Sequence, residues 1–202
     1  MKKTQLFSTL FLMICAMGCT SAPKEVVKQE EPITGLTALY RAFSTARAWA
    51  PDIQILRVSS INLPDIKSAP GHAPAWQVTL VSPSLGQMRS YTYSVVEASA
   101  TMRKGIFSDN PQSWSRDNSS AKPFIIAAAK KDTDEIFKTV MSQKKAMDYS
   151  AKHPGMPVSY LLELNSTSPD AVWRVFWGES AGTSEFSGVV DATTGQFVES
   201  LT

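Results

Sequence analysis

Val172-Trp173-Arg174-Val175-Phe176-Trp177 is the stretch whose reading decides the fold. Its apolar residues alternate, so Trp173, Val175 and Trp177 share one face of an extended strand. Far upstream, Ala75-Trp76-Gln77-Val78-Thr79-Leu80-Val81 has a tryptophan in the same place and the same period of two, with Trp76, Val78 and Leu80 on one face. The surroundings of the two stretches also agree. Each is preceded by another strand pattern, Gln54–Ile61 in the first case and 157–164 in the second, where Val158, Tyr160, Leu162 and Leu164 alternate. Each is followed by a turn and a return strand. Pro83-Ser84-Leu85-Gly86 leads into 89–96, with Tyr91, Tyr93 and Val95 on one face; the later copy returns over 184–190 and closes with a short strand at 196–199.

Ahead of each strand group lies a helical pattern. Leu36, Leu39, Tyr40, Phe43, Ala46 and Ala50 recur at spacings of three and four, which predicts a helix over 36–50. Thr34 or Thr37 is placed to cap it and Pro51 to stop it. A second helix is predicted over 133–152, with Ile136, Phe137, Val140, Met141 and Met147 on one side. Asp132 with Glu135 three residues on has the form of a capping box, and His153-Pro154-Gly155 ends the run.

Two local matches make this more than a shared rhythm. Ala75-Trp76-Gln77-Val78 aligns with Val172-Trp173-Arg174-Val175, and Val95-Val96-Glu97-Ala98 aligns with Val189-Val190-Asp191-Ala192. The expected architecture is α+β: two tandem units, each a helix on about three antiparallel strands, because an apolar helical stripe needs a sheet face to cover it. The units are 35–102 and 123–202. The polar stretch 103–122, with Pro111, Ser119 and Ser120, reads as the linker, and Pro123-Phe124-Ile125-Ile126 as an added edge strand.

The N-terminus reads as an address. Met1-Lys2-Lys3 is basic, and Leu6 to Met17 is almost unbroken apolar sequence, too short to span a bilayer stably. It ends in Ala16-Met17-Gly18-Cys19, which resembles the lipobox of bacterial lipoproteins; leucine is usual at Ala16 and a smaller residue at Met17. The resemblance implies a signal peptide over 1–18 and a diacylglycerol on the Cys19 thiol. Cleavage after Ala22 by an ordinary signal peptidase is the alternative. Residues 19–34 hold Pro23, Pro32 and mixed charge, and read as a tether with too little apolar content to fold alone.

Composition narrows the function. The 202 residues are 43 % hydrophobic and 19 % charged, ordinary for a globular chain of one or two domains. The net charge of +2 falls to zero once Lys2 and Lys3 leave, so no basic surplus marks a nucleic-acid binder or helps hold a membrane. The only two cysteines, Cys15 and Cys19, both lie in the N-terminal segment, so the folded part has neither a thiol nucleophile nor a disulfide.

Trp173-Arg174-Val175 followed by Val190-Asp191-Ala192-Thr193-Thr194-Gly195 resembles the C-terminal end of PepSY domains, where a strand leads to a hairpin ending in V-D-A-x-T-G. The likeness covers about 132–200. In the first copy Glu97-Ala98-Ser99-Ala100-Thr101 stands where that turn would be and lacks the glycine. The resemblance implies cystatin-like packing of one helix on an antiparallel sheet and no catalytic role. The family occurs in propeptides of secreted metallopeptidases and in envelope proteins, with a proposed role in restraining peptidases. Asp191, Thr194 and Gly195 also have a purely structural reading: Asp191 can accept backbone amides of the turn and Gly195 can take a positive φ. Trp76, Trp173 and Trp177 read as core residues or, where exposed, as an interaction surface.

Other motifs carry less. Gly178-Glu179-Ser180-Ala181-Gly182 spells the nucleophile elbow of serine hydrolases, but that chemistry needs a strand-to-helix turn and a later histidine, and no histidine follows Ser180. His72 falls in a loop and His153 at a helix end, neither at metal-ligand spacing. Asp132, Asp134 and Glu135 suit a helix N-terminus better than a calcium loop. Lys130-Lys131 and Lys144-Lys145 read as solvated charge. No catalytic residue, metal site or cofactor is expected. The expected function is non-catalytic: a lipid-anchored envelope protein that binds a protein or peptide, with a structural envelope role as the rival and a small hydrolase using Ser180 as the remote one.

Overall fold

The computed structural model describes residues 31–99, 102–118, 121–164 and 168–202. The signal segment, Cys19 and the tether as far as residue 30 lie outside the described residues, as do Ser119 and Ser120. Along the chain come β1 (Ile33–Thr34), α1 (Gly35–Ala46), β2 (Gln54–Ile61), β3 (His72–Ala73), β4 (Ala75–Ser82), β5 (Gln87–Ser94), β6 (Gly105–Ser108) and β7 (Gln112–Ser113). Then follow α2 (Thr133–Met141), α3 (Lys144–Lys152), β8 (Val158–Glu163), β9 (Val172–Trp177), β10 (Ser187–Asp191) and β11 (Phe197–Leu201). The fold is α+β: an open antiparallel sheet with helices packed against it.

Both repeats lie in one sheet, ordered β11-β10-β9-β8-β2-β4-β5-β6, with β7 also on β5. They join through the first strand of each unit, where Arg57 pairs with Glu163, Val58 with Leu162 and Ser59 with Leu161. Reading outward from this seam, β2-β4-β5 and β8-β9-β10 repeat each other about an approximate two-fold axis. The two tryptophans mark it. Trp76 donates its indole N–H to the Ile33 carbonyl at 2.9 Å, and Trp173 donates to Lys131 at 3.0 Å. Each acceptor lies two residues before its unit's helix. The rings meet edge-to-face at 6.3 Å and are fully buried.

The strand register corrects one sequence match. Trp76 lies opposite Tyr93, and Trp173 opposite Val190. The next amides agree: Val95 donates to Pro74 and Ala192 to Ala171, both at 2.9 Å. Val95 is therefore the counterpart of Ala192, and Ser94 that of Asp191, so the alignment of Val95–Ala98 with Val189–Ala192 is out by three positions. Ser94 does in brief what Asp191 does at length: its hydroxyl accepts the Val96 amide at 3.3 Å, two residues on. Pairing across the sheet, not a string of similar letters, sets the equivalence.

The second helix is also corrected. The chain breaks at Ser142-Gln143, where Gln143 is extended with ψ 128. Ile136 and Val140 are buried against the sheet, and a continuous helix would turn Gln143 and Lys144 onto that same face. The break changes the phase, so Ala146 is buried instead and Met147 is 47 % exposed. Helix α1 stops at Ala46 rather than 50, and its inward face is built from Leu36, Ala38, Leu39, Ala42 and Ala46, with Tyr40 outside. The polar stretch 103–122 contains β6 and β7, which extend the sheet beyond β5. It docks there because Trp114 and Ala121 pack with Leu56, Val81 and Met88 on the face opposite the helices. Before α2, Phe124 forms a lone bridge with Ile55 in place of a full edge strand.

The N-termini of α1 and α2 come together beside the tryptophans. Asp132 Oδ1 accepts the Thr133 amide at 2.7 Å and the Leu36 amide of the other helix at 3.0 Å, while the Gly35 amide donates to Thr133 Oγ1 at 2.9 Å. Glu135 pairs with Lys131 at 3.0 Å rather than turning back, so no capping box forms. One carboxylate thus serves two helix starts. Replacing Asp132 with alanine is expected to cost about 1–2 kcal/mol, the upper part of the range for one cap. Urea unfolding of the variant checks this; a loss near zero would show that water replaces the carboxylate.

Candidate functional site

The turn singled out in the sequence is a tight local structure. Asp191 Oδ1 accepts the amides of Thr193 at 2.9 Å and Thr194 at 2.6 Å, and the Thr194 hydroxyl at 2.9 Å. Gly195, at φ 77°, returns its amide to the Asp191 carbonyl at 2.9 Å. The turn also docks on the segment ahead of α2: Ala192 accepts the amides of Lys130 and Lys131, and Thr193 Oγ1 donates to Ala128. Burial works against ionisation of Asp191, but the hydrogen bonds from Thr194 and Thr193 outweigh it and hold the carboxyl below its ordinary value of 3.8.

A depressed folded-state value has a definite sign. Its stabilisation is fully present above the unfolded value and is lost as pH falls through the folded one. An Asp191→Asn variant keeps a side-chain acceptor but not the charge. It is expected to unfold at lower urea near pH 7, with the gap to wild type closing as pH falls below the ordinary carboxyl value of 3.8. A gap independent of pH would assign the effect to shape alone.

The three tryptophans do not form a surface. Trp76 and Trp173 are 0 % exposed and Trp177 is 2 % exposed. Trp177 is enclosed by Tyr149 and Phe186, with ring centroids 6.0 and 5.5 Å away. Its strand end is covered by α3, so the interaction-surface reading of these residues is overturned in favour of the core. Ser180 lies exposed in the β9–β10 hairpin, hydrogen-bonded to the Thr183 hydroxyl at 2.9 Å. Strand β10, not a helix, follows it, so the elbow geometry is absent. His72 Nδ1 bonds the Pro70 carbonyl, and His153 stacks on Tyr149 at 4.3 Å. Among the described residues no three metal-ligating side chains cluster.

What the sequence did not disclose is a cleft of about 950 Å³ at one end of the β2–β8 seam. Unit one supplies the end of β2 and the loop after it, with Leu63, Pro64, Ile66 and Lys67; unit two supplies Phe137, Met156, Val158 and Glu179. Ser60, Ser159 and Tyr160 also line it. Tyr160 is 1 % exposed and accepts the Gly71 amide at 2.7 Å. Burial pushes its phenol far up, against the smaller opposing effect of that amide, so the hydroxyl stays neutral. Ser159 accepts from Asn62 Nδ2 and donates to the Gly178 carbonyl, both at 2.8 Å. Lys67 and Glu179 have no ion-pair partner among the described residues. Apolar walls with a few placed polar groups are the make-up of a binding cleft.

Fold and site together define an α+β protein whose cleft at the β2–β8 seam is lined from both halves of the sheet. No family model matches the chain, and no curated protein matches it. Among solved structures, a lipoprotein candidate from Clostridium difficile 630 is similar, with a TM-score of 0.45 and 10 % identity over 87 % of this chain and 97 % of that one. That degree of likeness does not bear on function. No helix among the described residues is long and apolar enough to cross a membrane.

Proposed function

We propose that this chain is an exported bacterial lipoprotein, held at the cell envelope through Cys19, that binds a segment of another envelope protein without catalysing a reaction. The observation that carries the reading is the cleft at the seam, with its apolar walls and free Lys67 and Glu179. Among the described residues that line it there is no histidine. The lipid anchor rests on the basic start, the apolar run and Gly18-Cys19. The resemblance of 132–200 to PepSY domains favours a secreted peptidase as the partner and its restraint as the outcome.

Two experiments test the proposal. Growth with a labelled fatty acid is expected to mark the wild-type protein and leave Cys19→Ser unmarked. Immobilised residues 20–202 are then exposed to envelope extract beside a Met156→Asp, Ile66→Asp control. A secreted peptidase or wall hydrolase held by the first and not by the second, and slowed by added protein, supports the reading. Equal capture by both, or ester hydrolysis that vanishes in Ser180→Ala, overturns it.

A further inference from the structure

Strand β2 runs to Ile61 and β8 begins at Val158. Continued past Ser59 and Leu161, their register would pair Ser60 with Tyr160 and Asn62 with Val158. The ladder stops instead. The Tyr160 amide donates to the Ser60 hydroxyl at 2.9 Å, where a continuing ladder would give it to the Ser60 carbonyl. Asn62 reaches Ser159 only through its side chain, at 2.8 Å. On their outer flanks both strands stay paired to this end, Ile61 with Ala75 on β4 and Val158 with Trp177 on β9. The sheet therefore splits at its middle, and the cleft opens in the split.

Backbone groups of alternate residues in an antiparallel strand point to alternate flanks. The Tyr160 amide faces β2, so Val158, two residues earlier, turns its N–H and C=O to the same flank. By the same register Ser60 and Asn62 turn theirs toward β8. No strand pairs with these flanks beyond Ser59 and Leu161 among the described residues. Side-chain hydroxyls and an amide hold the places that backbone groups fill elsewhere in the sheet.

We propose that this split is a strand-insertion site. An extended segment of a partner polypeptide enters the cleft and pairs through its backbone with the free flanks at Asn62 and Val158, displacing the Asn62–Ser159 bond. This rests on the reading that the cleft binds a protein segment, and it names the mode and the occupant. A polypeptide strand is the occupant that matches backbone donors and acceptors left on both sides of a split, here at Asn62 and Val158. The walls call for apolar residues at alternate positions, to meet Ile61, Ile66, Phe137 and Met156. The unpaired Lys67 and Glu179 call for an acidic and a basic residue on the same segment.

The test uses the full chain in detergent and a pool of heptapeptides with Val, Leu or Ile at alternate positions and Glu and Lys at the ends. The pool is expected to slow amide hydrogen exchange at Asn62 and Val158 by about tenfold or more, with β11 and β6 unchanged. The same pool N-methylated at alternate residues, which leaves the protein untouched, is expected to give no protection. A Lys67→Glu, Glu179→Lys variant should prefer peptides with their end charges exchanged. Equal protection by the N-methylated pool overturns strand pairing, and protection at β11 or β6 overturns the location. No protection by any peptide overturns the inference as a whole. If envelope protein capture survives that last result, the broader binding function stands and only the insertion mode falls.

Discussion

Replacing Trp173 with alanine is expected to remove about 3–5 kcal/mol of stability, a large share of what a domain of this kind possesses. The ring is fully buried at the meeting point of both units: it touches Trp76 edge-on at 6.3 Å and donates to Lys131 ahead of α2 at 3.0 Å. Truncation loses the apolar burial, opens a cavity that the flanking β-strands cannot close, and leaves the Lys131 carbonyl without its indole donor. Trp173→Phe keeps most of the volume and loses the N–H, so it is expected to cost about 1–3 kcal/mol. Because Trp76 and Trp173 are in contact, Trp76→Phe and Trp173→Phe should not add; a coupling of about 0.5–1.5 kcal/mol is expected. Urea unfolding by circular dichroism measures all of these. A loss for Trp173→Ala within about 0.5 kcal/mol, the size of a surface change, would place the ring outside the core.

The strands around these tryptophans were legible because their cause is local. Gln54–Ile61 and Val172–Trp177 have the bounds read from the sequence, the second from the alternation of Trp173, Val175 and Trp177 towards the helices. The helix break at Ser142-Gln143 was hidden because apolar residues continue past it. Only the position of the sheet decides that Ala146 rather than Met147 turns inward. The polar stretch 103–122 looked like a linker because β6 and β7 are short and pair at the edge of the sheet, where little burial is needed.

The site was less legible than the fold. Asp191, Thr194 and Gly195 stood out because a turn is a few adjacent residues with special chemistry, and those residues do make the turn. The cleft is built from segments about ninety residues apart, and its defining feature is a strand pairing that ends early. Nothing in the local sequence sets Ser60, Asn62 and Ser159 apart from other polar residues in or next to strands. A weak signal was present. The seam side of β2 carries Ser60 and Asn62 where its counterpart β8 carries aliphatic residues, but that contrast has meaning only once the register is known. The tryptophans illustrate the converse, since their visibility in the sequence came from packing the core and not from meeting a partner.

The other large effect is expected at Gly71, in the loop that forms one wall region of the site. Its φ is 77°, and a Cβ there would lie 2.3 Å from Asp134 Cα and 2.8 Å from the Thr133 carbonyl carbon. Its amide donates to Tyr160, and its carbonyl accepts the Thr133 hydroxyl. The loop of unit one is thus pressed onto the first turn of the helix of unit two, with backbone against backbone and nothing flexible to yield. Gly71→Ala is expected to cost about 1–2 kcal/mol for the left-handed backbone and about 1–3 kcal/mol more for the overlap. Gly155 supplies the internal control: its φ is 85°, but a Cβ there would meet nothing within 4 Å. Gly155→Ala should therefore show the backbone cost alone, and the difference between the two variants reports the contact between units. Relief of the overlap moves the loop off α2, which removes the Gly71 amide from Tyr160 and widens the cleft. A folded Gly71→Ala protein is accordingly expected to exchange its Tyr160-facing amides faster as well as to unfold at lower urea. Equal losses for the two variants would mean that the loop does not rest on α2 in solution, and the cleft wall it forms would have to be redrawn.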